Sequence, residues 1–448
     1  MIKTFYSKER IHQKIGLIVA SAWLFSGCAT TGKDFSPITR DGIKARTGIT
    51  VQDAFASNQP GLPPGIHLDQ PIKSDDAAMV ALWNNPQFGA DLATLGIAKG
   101  DLIDASQLRN PRMDVLSPLG FKPFELVLTL PIEAIWERPA RVAAAEKTYE
   151  QLANSLIQNG MNAVQDAQIS HANLVLAKKR EEVLHKNSEL RRRIAKINRD
   201  VRVKAGELTE VEGIATEVDS ASSEELWVRA KHDTLLATER FRQSMGLMFY
   251  PGKLEAAYYS PSVSPPPPSE VLVEKALIAR PDLRAAELAV LAAAKRADWE
   301  GTRITQLSLL LSSKGIGDRG ILTGPGISLD LPIFHQNNGR RVRADAEVKV
   351  ATLQYLALKQ RVAFEVKESR ELLIQAQEVL ARTRNNVLPL VQKTVTLAEG
   401  QYRRGSAAYL FVLEQTRNLV DAQLRAADFE AAVARAEAQL RRAAGGGK

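Results

Sequence analysis

The chain has 448 residues, of which 25% are charged, and a formal net charge of +8 at pH 7. Lys3, Lys8, Arg10 and Lys14 less Glu9 contribute +3 of this charge, so the chain after residue 28 carries +5. A charge this mild, without basic patches interleaved with aromatics, excludes a nucleic-acid partner. The single cysteine excludes an internal disulfide.

The N-terminus has the layout of a secretory signal for a lipoprotein. Basic residues precede an apolar run from Ile15 to Phe25, which is too short to span a bilayer, and Ser26 and Gly27 lead to Cys28. We predict a signal peptide over residues 1–27 and a covalent lipid on Cys28, with no other cofactor and no metal. The alternative is an ordinary cleaved signal beside an unmodified thiol.

Residues 28–73 are polar and punctuated by Pro and Gly, which predicts an extended N-terminal tail. An alanine-rich helix is predicted over residues 74–108. No later apolar run approaches the length of a membrane helix. Any membrane crossing must therefore use β-strands.

Two β-hairpins are predicted, over residues 109–133 and 303–333. Apolar and polar residues alternate in segments 124–130, 307–312 and 327–331, as in half-buried strands, and more weakly in 111–116. The predicted turns are Ser117 to Gly120 and Lys314 to Pro325. Aromatic residues just beyond the strands suit a membrane interface: Trp136, Trp299 and Phe334. The alternative is two soluble hairpins packed on a helical body.

Long helical hairpins are predicted over residues 138–247 and 339–443, where helix formers dominate with little Gly or Pro. Small and medium apolar residues recur at three- and four-residue spacing, which is typical of a coiled-coil seam. We expect Pro389 to kink the second hairpin. A Pro-rich linker over 248–268 and a helix over 269–300 connect the repeats, and residues 444–448 are predicted to be a disordered tail.

The chain is an internal duplication. Leu130-Pro131-Ile132 recurs as Leu331-Pro332-Ile333 with an offset of 201 residues, and the order of elements around each copy is shared. Four strands cannot close a barrel, and an open edge in lipid leaves backbone groups unpaired. We therefore expect an oligomer, and three copies would supply twelve strands around a lumen.

The chain resembles the TolC-type outer-membrane factor family over most of residues 75–444. The motifs are residues 280–287, Gly326 to Ile333 with Arg340, and residues 402–406 leading to 409–414. The resemblance implies a mainly α fold with a small β part. A trimeric 12-stranded barrel of four strands per chain would be continued by an α-helical periplasmic barrel of coiled-coil hairpins.

The same resemblance implies an exit duct for a tripartite efflux pump or type I secretion system. Such a duct lies in the outer membrane of a Gram-negative bacterium and extends into the periplasm. Its partners would be two further copies of the chain, outer-membrane lipid, a periplasmic membrane-fusion adaptor and, indirectly, an inner-membrane transporter.

The glycine turns of the two hairpins are the predicted adaptor-docking tips, although glycines there also end helices simply by adopting a left-handed conformation. Charged residues crowd the same tips and could latch the entrance, while solvated helix ends explain the same charges. The docking candidates are Gly206, Leu208, Thr209, Gly405, Ser406 and Ala407; the latch candidates are Arg199, Asp200, Arg202, Glu399, Arg403 and Arg404.

No enzymatic activity is predicted. Gly315-x-Gly317-x-x-Gly320 precedes a strand rather than a helix, so it does not indicate a dinucleotide site, and the six histidines lack ligand spacing. Two other classes remain as alternatives. A lipid-anchored periplasmic scaffold or adaptor would share the long helices, but an adaptor needs a β-rich insertion between them. A passive porin would need many more strands.

Overall fold

The structure, a computed structural model, describes residues 34–51, 61–117, 124–259, 264–303, 306–316, 320–404, 406 and 408–446. The predicted signal peptide, Cys28, Gly405 and Ala407 lie outside these residues. In the part that is described, none of the helices combines the length and the apolar character that a membrane span requires.

Two compact units make up the fold. The first takes in residues 34–37, 93–154 and 283–357, and the second takes in residues 38–92, 155–282 and 358–446. The first unit contains one four-stranded antiparallel sheet of order β1-β2-β3-β4. Its strands are β1 (Arg112–Leu116), β2 (Glu125–Pro131), β3 (Leu307–Gly315) and β4 (Ile321–Leu329).

Helices dominate the rest of the chain, as predicted for a mainly α protein with a small β part. The longest is an unbroken helix of 65 residues, about 98 Å at 1.5 Å per residue. In chain order the helices are α1 (Ser36–Thr47), α2 (Ser74–Asn84), α3 (Pro86–Ser106), α4 (Glu133–Ile197), α5 (Glu210–Ser244), α6 (Ser269–Ala279), α7 (Pro281–Thr302), α8 (Asn338–Arg382), α9 (Leu388–Arg403) and α10 (Tyr409–Ala443).

The helical segments predicted over residues 74–108 and 269–300 are each divided into two helices just before a proline. Asn85 and Arg280 adopt extended backbone between α2 and α3 and between α6 and α7. The ring of a proline disfavours the helical conformation of the residue before it, so the division follows from the sequence.

The prediction of an extended N-terminal tail is wrong for residues 36–47, which form α1. Within the second unit, Ile43 is fully buried among Leu82, Phe88 and Ile157. Gly160 allows this approach, since a Cβ there would lie 3.2 Å from Ile43 Cδ1. The tail thus contributes to the core, which its polar composition did not indicate.

The second hairpin changes its helical register instead of simply bending at Pro389. A π-helix over Thr383–Val387 links α8 to α9, and Pro389 lies in the first turn of α9, where a missing N–H costs nothing. A second π-helix, Asn198–Val203, follows α4 in the first repeat. Such wide turns recur at functional positions in helices.

The second β-hairpin has a shorter turn than predicted. β3 continues to Gly315 and β4 begins at Ile321, so most of the expected loop from Lys314 to Pro325 is strand. Pro325 lies opposite Leu311 within β4. It is tolerated in the sheet of the single chain because β4 has a neighbour on one side only, so the missing N–H need not cost a hydrogen bond to β3.

The prediction of a disordered C-terminal tail is wrong for Gly445 and Gly446. Gly445 and Gly446 adopt left-handed backbone, and their N–H groups donate to the carbonyls of Arg442 and Arg441 at 3.1 and 2.9 Å. This arrangement ends α10 as a glycine cap. A Cβ on Gly445 would lie 2.9 Å from Ala279 Cβ, so the turn is packed against α6.

Candidate functional site

The sheet has one apolar face. Side chains directly opposite one another across an antiparallel sheet share a face, and Met113, Leu128, Leu311 and Pro325 form one such row. Leu130, Leu309 and Ile327 form another. These apolar side chains are exposed in the single chain; Ile327 has 72% of its surface accessible.

The opposite face of the sheet is more polar and carries all of its charged side chains, interspersed with Leu116, Val127, Leu310 and Leu322. Arg112 and Asp114 form an ion pair at 2.8 Å along β1, and Glu125 lies opposite Lys314. Ser312 faces Gly324 and Ser308 faces Ser328 on the same side. A sheet with an exposed apolar face and a polar face is suited to separate lipid from water.

Both outer edges of the sheet lack a strand partner within the described part of the chain. β1 pairs only with β2, and β4 pairs only with β3. The backbone N–H and C=O groups along these edges would be unsatisfied in a membrane. Among the aromatics predicted beyond the strands, Phe334 is 99% and Trp136 49% exposed, whereas Trp299 is half-buried beneath the Arg303 guanidinium.

The first hairpin turn is built from a left-handed glycine and a capped helix. Gly206 has φ +73° and no atom within 4 Å of where a Cβ would stand. Thr209 then caps α5 in a capping box with Glu212, and the bond from the Thr209 N–H holds the pKa of Glu212 below its usual value. Leu208 is half-buried beside this exposed turn.

The second hairpin turn is described only in part. Ser406 is exposed, and its N–H and hydroxyl both donate to the Gln401 carbonyl at 3.0 Å. The Arg404 Nε donates to the Gly400 carbonyl at 3.2 Å. The side chain of Arg403 lies outside the described part, so its predicted role stays a prediction.

The candidate latch residues of the first hairpin form ion pairs within that hairpin. Arg199 contacts Asp200 at 3.2 Å and Glu217 at 3.5 Å, and Arg202 contacts Glu207 at 3.0 Å. The Arg202 guanidinium also lies 4.8 Å from the centre of the Tyr402 ring. A cation–π contact thus joins the turns of the two hairpins. Glu399, a latch candidate of the second hairpin, is half-buried on α9.

A charged contact that the sequence analysis did not identify joins three helices near the turns. Arg191 on α4 lies 3.2 Å from Asp219 on α5, and Arg417 on α10 lies 2.5 Å from the same carboxylate. Arg191 is 3% exposed because it lies on the buried stripe of α4, together with Ser188 and Ala195. The sequence did contain a signal for this cluster: an arginine at a buried position of a helix predicts a charged partner nearby, because a buried charge needs one.

A second charged cluster joins α4, the π-helix before α9 and α10. Glu430 accepts hydrogen bonds from Lys179 and, at 2.5 Å, from Arg384. Burial acts to raise the pKa of Glu430, but these two cations hold it below its usual value. A cavity of about 540 Å³ adjoins the cluster, and its walls include Tyr258, His171 and Arg441. No group of His, Cys, Asp or Glu in the described residues could hold a metal ion.

Comparison with known proteins finds a family model that matches the C-terminal part of the chain. Residues 272–446 match the family model described as "Outer membrane efflux protein". The chain is 23% identical over 375 residues to the cobalt-zinc-cadmium resistance protein CzcC of Cupriavidus metallidurans. The aligned region covers 79% of this chain and 85% of CzcC.

Solved structures share the fold. The outer-membrane channel OprN aligns with a TM-score of 0.71 at 18% identity, over 88% of this chain and 96% of OprN. VceC, an outer membrane protein of Vibrio cholerae, aligns with a TM-score of 0.70 at 17% identity, over 84% of this chain and 96% of VceC. The fold class predicted from the sequence is therefore confirmed.

Proposed function

We propose that this chain is one protomer of an outer-membrane exit duct, because residues 272–446 match the family model of outer membrane efflux proteins. The duct serves a tripartite efflux pump or a type I secretion system of a Gram-negative bacterium. The observation that carries this proposal is the sheet with one apolar face, one more polar face that carries the charged residues, and two open edges. Passage of a substrate requires no reaction chemistry, so the protein acts as a channel rather than an enzyme.

The open edges support assembly into a trimer. The β4 edge of one copy can pair with the β1 edge of the next, and this pairing continues until the ring closes. Two copies would give eight strands, whose interior is filled by side chains, whereas three give twelve strands around an aqueous lumen. The apolar face then contacts lipid, and the face carrying Asp114 and Lys314 lines the water-filled interior.

We also propose that a lipid on Cys28 anchors each protomer to the outer membrane. The basic and apolar run before Ser26-Gly27-Cys28 supports this assignment. The lipid would attach the N-terminus to the membrane surface, whereas the strands would cross the membrane.

The hairpin turns are the proposed docking tips for a periplasmic adaptor, which would link the duct to an inner-membrane transporter. Gly206 and Leu208 on the first hairpin and Ser406 on the second are accessible there. Gly405 and Ala407 complete the proposed tip. A bulky residue in place of Gly405 should abolish export while trimer assembly and membrane insertion continue.

The entrance of the duct would be held closed by contacts between the hairpins. The Arg202 to Tyr402 contact supports a latch at this place. Glu399, Arg403 and Arg404 remain proposed members. Neutralising Glu399 and Arg403 together should raise the conductance of the channel.

Reconstitution separates a duct from a lipid-anchored scaffold. The purified protein should have three times the mass of its processed chain after correction for detergent. It should also conduct ions across a planar bilayer. A monomer without conductance would favour the scaffold. Because the CzcC relative is named for cobalt, zinc and cadmium resistance, export assays of a deletion strain should include these three ions.

A further inference from the structure

An exposed surface with an apolar part and a cationic part follows β4, the last strand of the sheet. Leu331, Ile333 and Phe334 are 68%, 66% and 99% exposed. The chain then enters α8, whose first two turns carry Arg340, Arg341 and Arg343, all exposed. We call these three arginines the basic collar. Apolar side chains next to cationic ones match the order of layers at a membrane surface, from acyl chains to headgroups.

At the corresponding place in the first repeat, the arginines hydrogen-bond to backbone carbonyls of the chain itself. At the start of α4, the Arg138 Nε donates to the Ser106 carbonyl at 2.5 Å, and Arg141 donates to the carbonyls of Ala105 and Gln107 at 2.9 and 2.6 Å. These bonds cap the C-terminal end of α3. The arginines of the first repeat therefore have a structural task.

The basic collar has no comparable task. Arg343 contacts Glu347 at 3.0 Å, and Arg296 shares that carboxylate at 3.6 Å. In the described part of the chain, the guanidinium groups of Arg340 and Arg341 have neither an ion pair nor a hydrogen-bond acceptor. The first turn of α8 also has no acidic residue. Two adjacent cations are thus left exposed beside the apolar residues.

We propose that the basic collar binds the anionic headgroups of phospholipids in the periplasmic leaflet of the outer membrane. This inference rests on the proposed function, because it requires the apolar face of the sheet to lie in lipid. Ile327 and Leu329 on that face lead directly into Leu331 and Ile333, so the apolar surface continues along the chain up to the collar. Arginine donates several hydrogen bonds in a fork that matches phosphate oxygens, which makes phosphate the fitting ligand.

The collar gives the second repeat an attachment to lipid that the first repeat lacks. Each cation near an anionic surface contributes about 1 kcal/mol of attraction. Arg340 and Arg341 together would therefore change the retention of an anionic lipid by roughly tenfold or more. In a trimer the collar would occur three times, and the retained anionic lipid should reflect that number.

The test compares Arg340→Gln/Arg341→Gln with the matched control Arg192→Gln/Arg193→Gln. The control removes the same charge from two adjacent exposed arginines on α4, some 150 residues away in sequence. Each protein is incorporated into nanodiscs of phosphatidylcholine with a small fraction of phosphatidylglycerol. Native mass spectrometry then counts the phosphatidylglycerol molecules that remain bound to the trimer released from the disc.

We expect the unmodified protein and the control to retain phosphatidylglycerol. The collar variant should retain roughly tenfold less of it than the unmodified protein. Equal retention by the collar variant and the control would overturn the inference, since the arginines would then contact something else, such as a neighbouring copy. Trimer mass and channel conductance are measured on the same samples. Failure of the unmodified protein to form conducting trimers would contradict the proposed function instead.

Discussion

The Arg191 guanidinium lies 3.2 Å from the Asp219 carboxylate in the interior between α4 and α5. Arg191 is 3% exposed and Asp219 10%, so both charges are removed from water. Arg417, from α10 of the other hairpin, completes the cluster at 2.5 Å and is 62% exposed. A single carboxylate thus joins the two hairpins and neutralises a buried arginine.

Replacing Asp219 by Asn should destabilise the protein strongly. The change leaves the Arg191 charge buried without a counter-ion, which typically costs about 3 kcal/mol. We expect the melting temperature of the purified protein, followed by circular dichroism, to fall by several degrees. Glu225→Gln is the control, because Glu225 is 74% exposed and pairs with an equally exposed Arg229. That change should have almost no effect.

A double variant separates charge from shape at the same place. Arg191→Met/Asp219→Leu removes both charges and keeps apolar volume, so it should recover much of the stability that Asp219→Asn loses. If the double variant melted as low as the single variant, the buried charge would not be the cause.

Gly246 and Gly206 allow the cost of a clash to be measured separately from the cost of the backbone conformation. Both have left-handed backbone, with φ +71° and +73°. A Cβ on Gly246 would lie 2.1 Å from the Asn84 carbonyl oxygen, whereas a Cβ on Gly206 would contact nothing within 4 Å. Gly206→Ala should therefore cost only about 1 kcal/mol for the left-handed conformation.

Gly246→Ala should cost considerably more, because the backbone of α2 must move as well. Thermal melts of the two variants measure the difference. Equal melting temperatures would show that the contact with Asn84 is not maintained. Because Gly206 also lies in the proposed docking tip, its Ala variant is the milder probe of export.

His171 should make stability depend on pH. Its Nε2 donates to the Ile72 carbonyl at 2.9 Å, and burial lowers the pKa of His171 from its usual 6.5. A lowered pKa favours the neutral ring in the folded state, so this contribution is present above pH 6.5 and is lost as the pH falls through the folded-state pKa.

The melting temperature should consequently fall more between about pH 7.5 and about pH 5.5 in the unmodified protein than in His171→Gln. The Gln amide can still donate to Ile72 but does not titrate. His232→Gln, at an exposed position of α5, is the control and should retain the full pH dependence. An unchanged pH dependence in His171→Gln would assign the effect to other groups.

The long-range features of the fold could be predicted from sequence because they rest on repeated patterns. Alternation indicated strands at all four places, although only the last part of β4 was included, and the 201-residue offset indicated the duplication. What could not be predicted depends on single contacts. Whether a strand tolerates a proline such as Pro325 depends on its place in the sheet, and a periodicity argument contains no information on strand order.

The candidate site was less predictable than the fold for the same reason. The turn glycine Gly206 has a local signature, and its left-handed backbone follows from it. The Arg191, Asp219 and Arg417 cluster joins residues far apart in the chain, and each of them alone resembles an ordinary surface charge. Likewise, α1 is held by Ile43 against residues more than a hundred positions away.

Adjacent residues of β4 test which face of the sheet contacts lipid. Ile327 lies on the apolar face opposite Leu309, and Ser328 lies on the polar face opposite Ser308. Arginine on a lipid-facing strand position costs about 2–4 kcal/mol near the middle of the membrane, whereas arginine on the water-filled side costs little. Ile327→Arg should therefore reduce the heat-modifiable trimer in the outer-membrane fraction, and Ser328→Arg should leave its amount unchanged.

The conductance of the assembled variants makes the same test from the other side. Ser328→Arg adds a positive charge to the lumen and should shift the ion selectivity of the channel toward anions, measured as the reversal potential in a salt gradient. Ile327→Arg trimers that do assemble should keep the original preference. The opposite pattern would mean that the face carrying Asp114 and Lys314 contacts lipid, which would require those charges to be buried in the membrane.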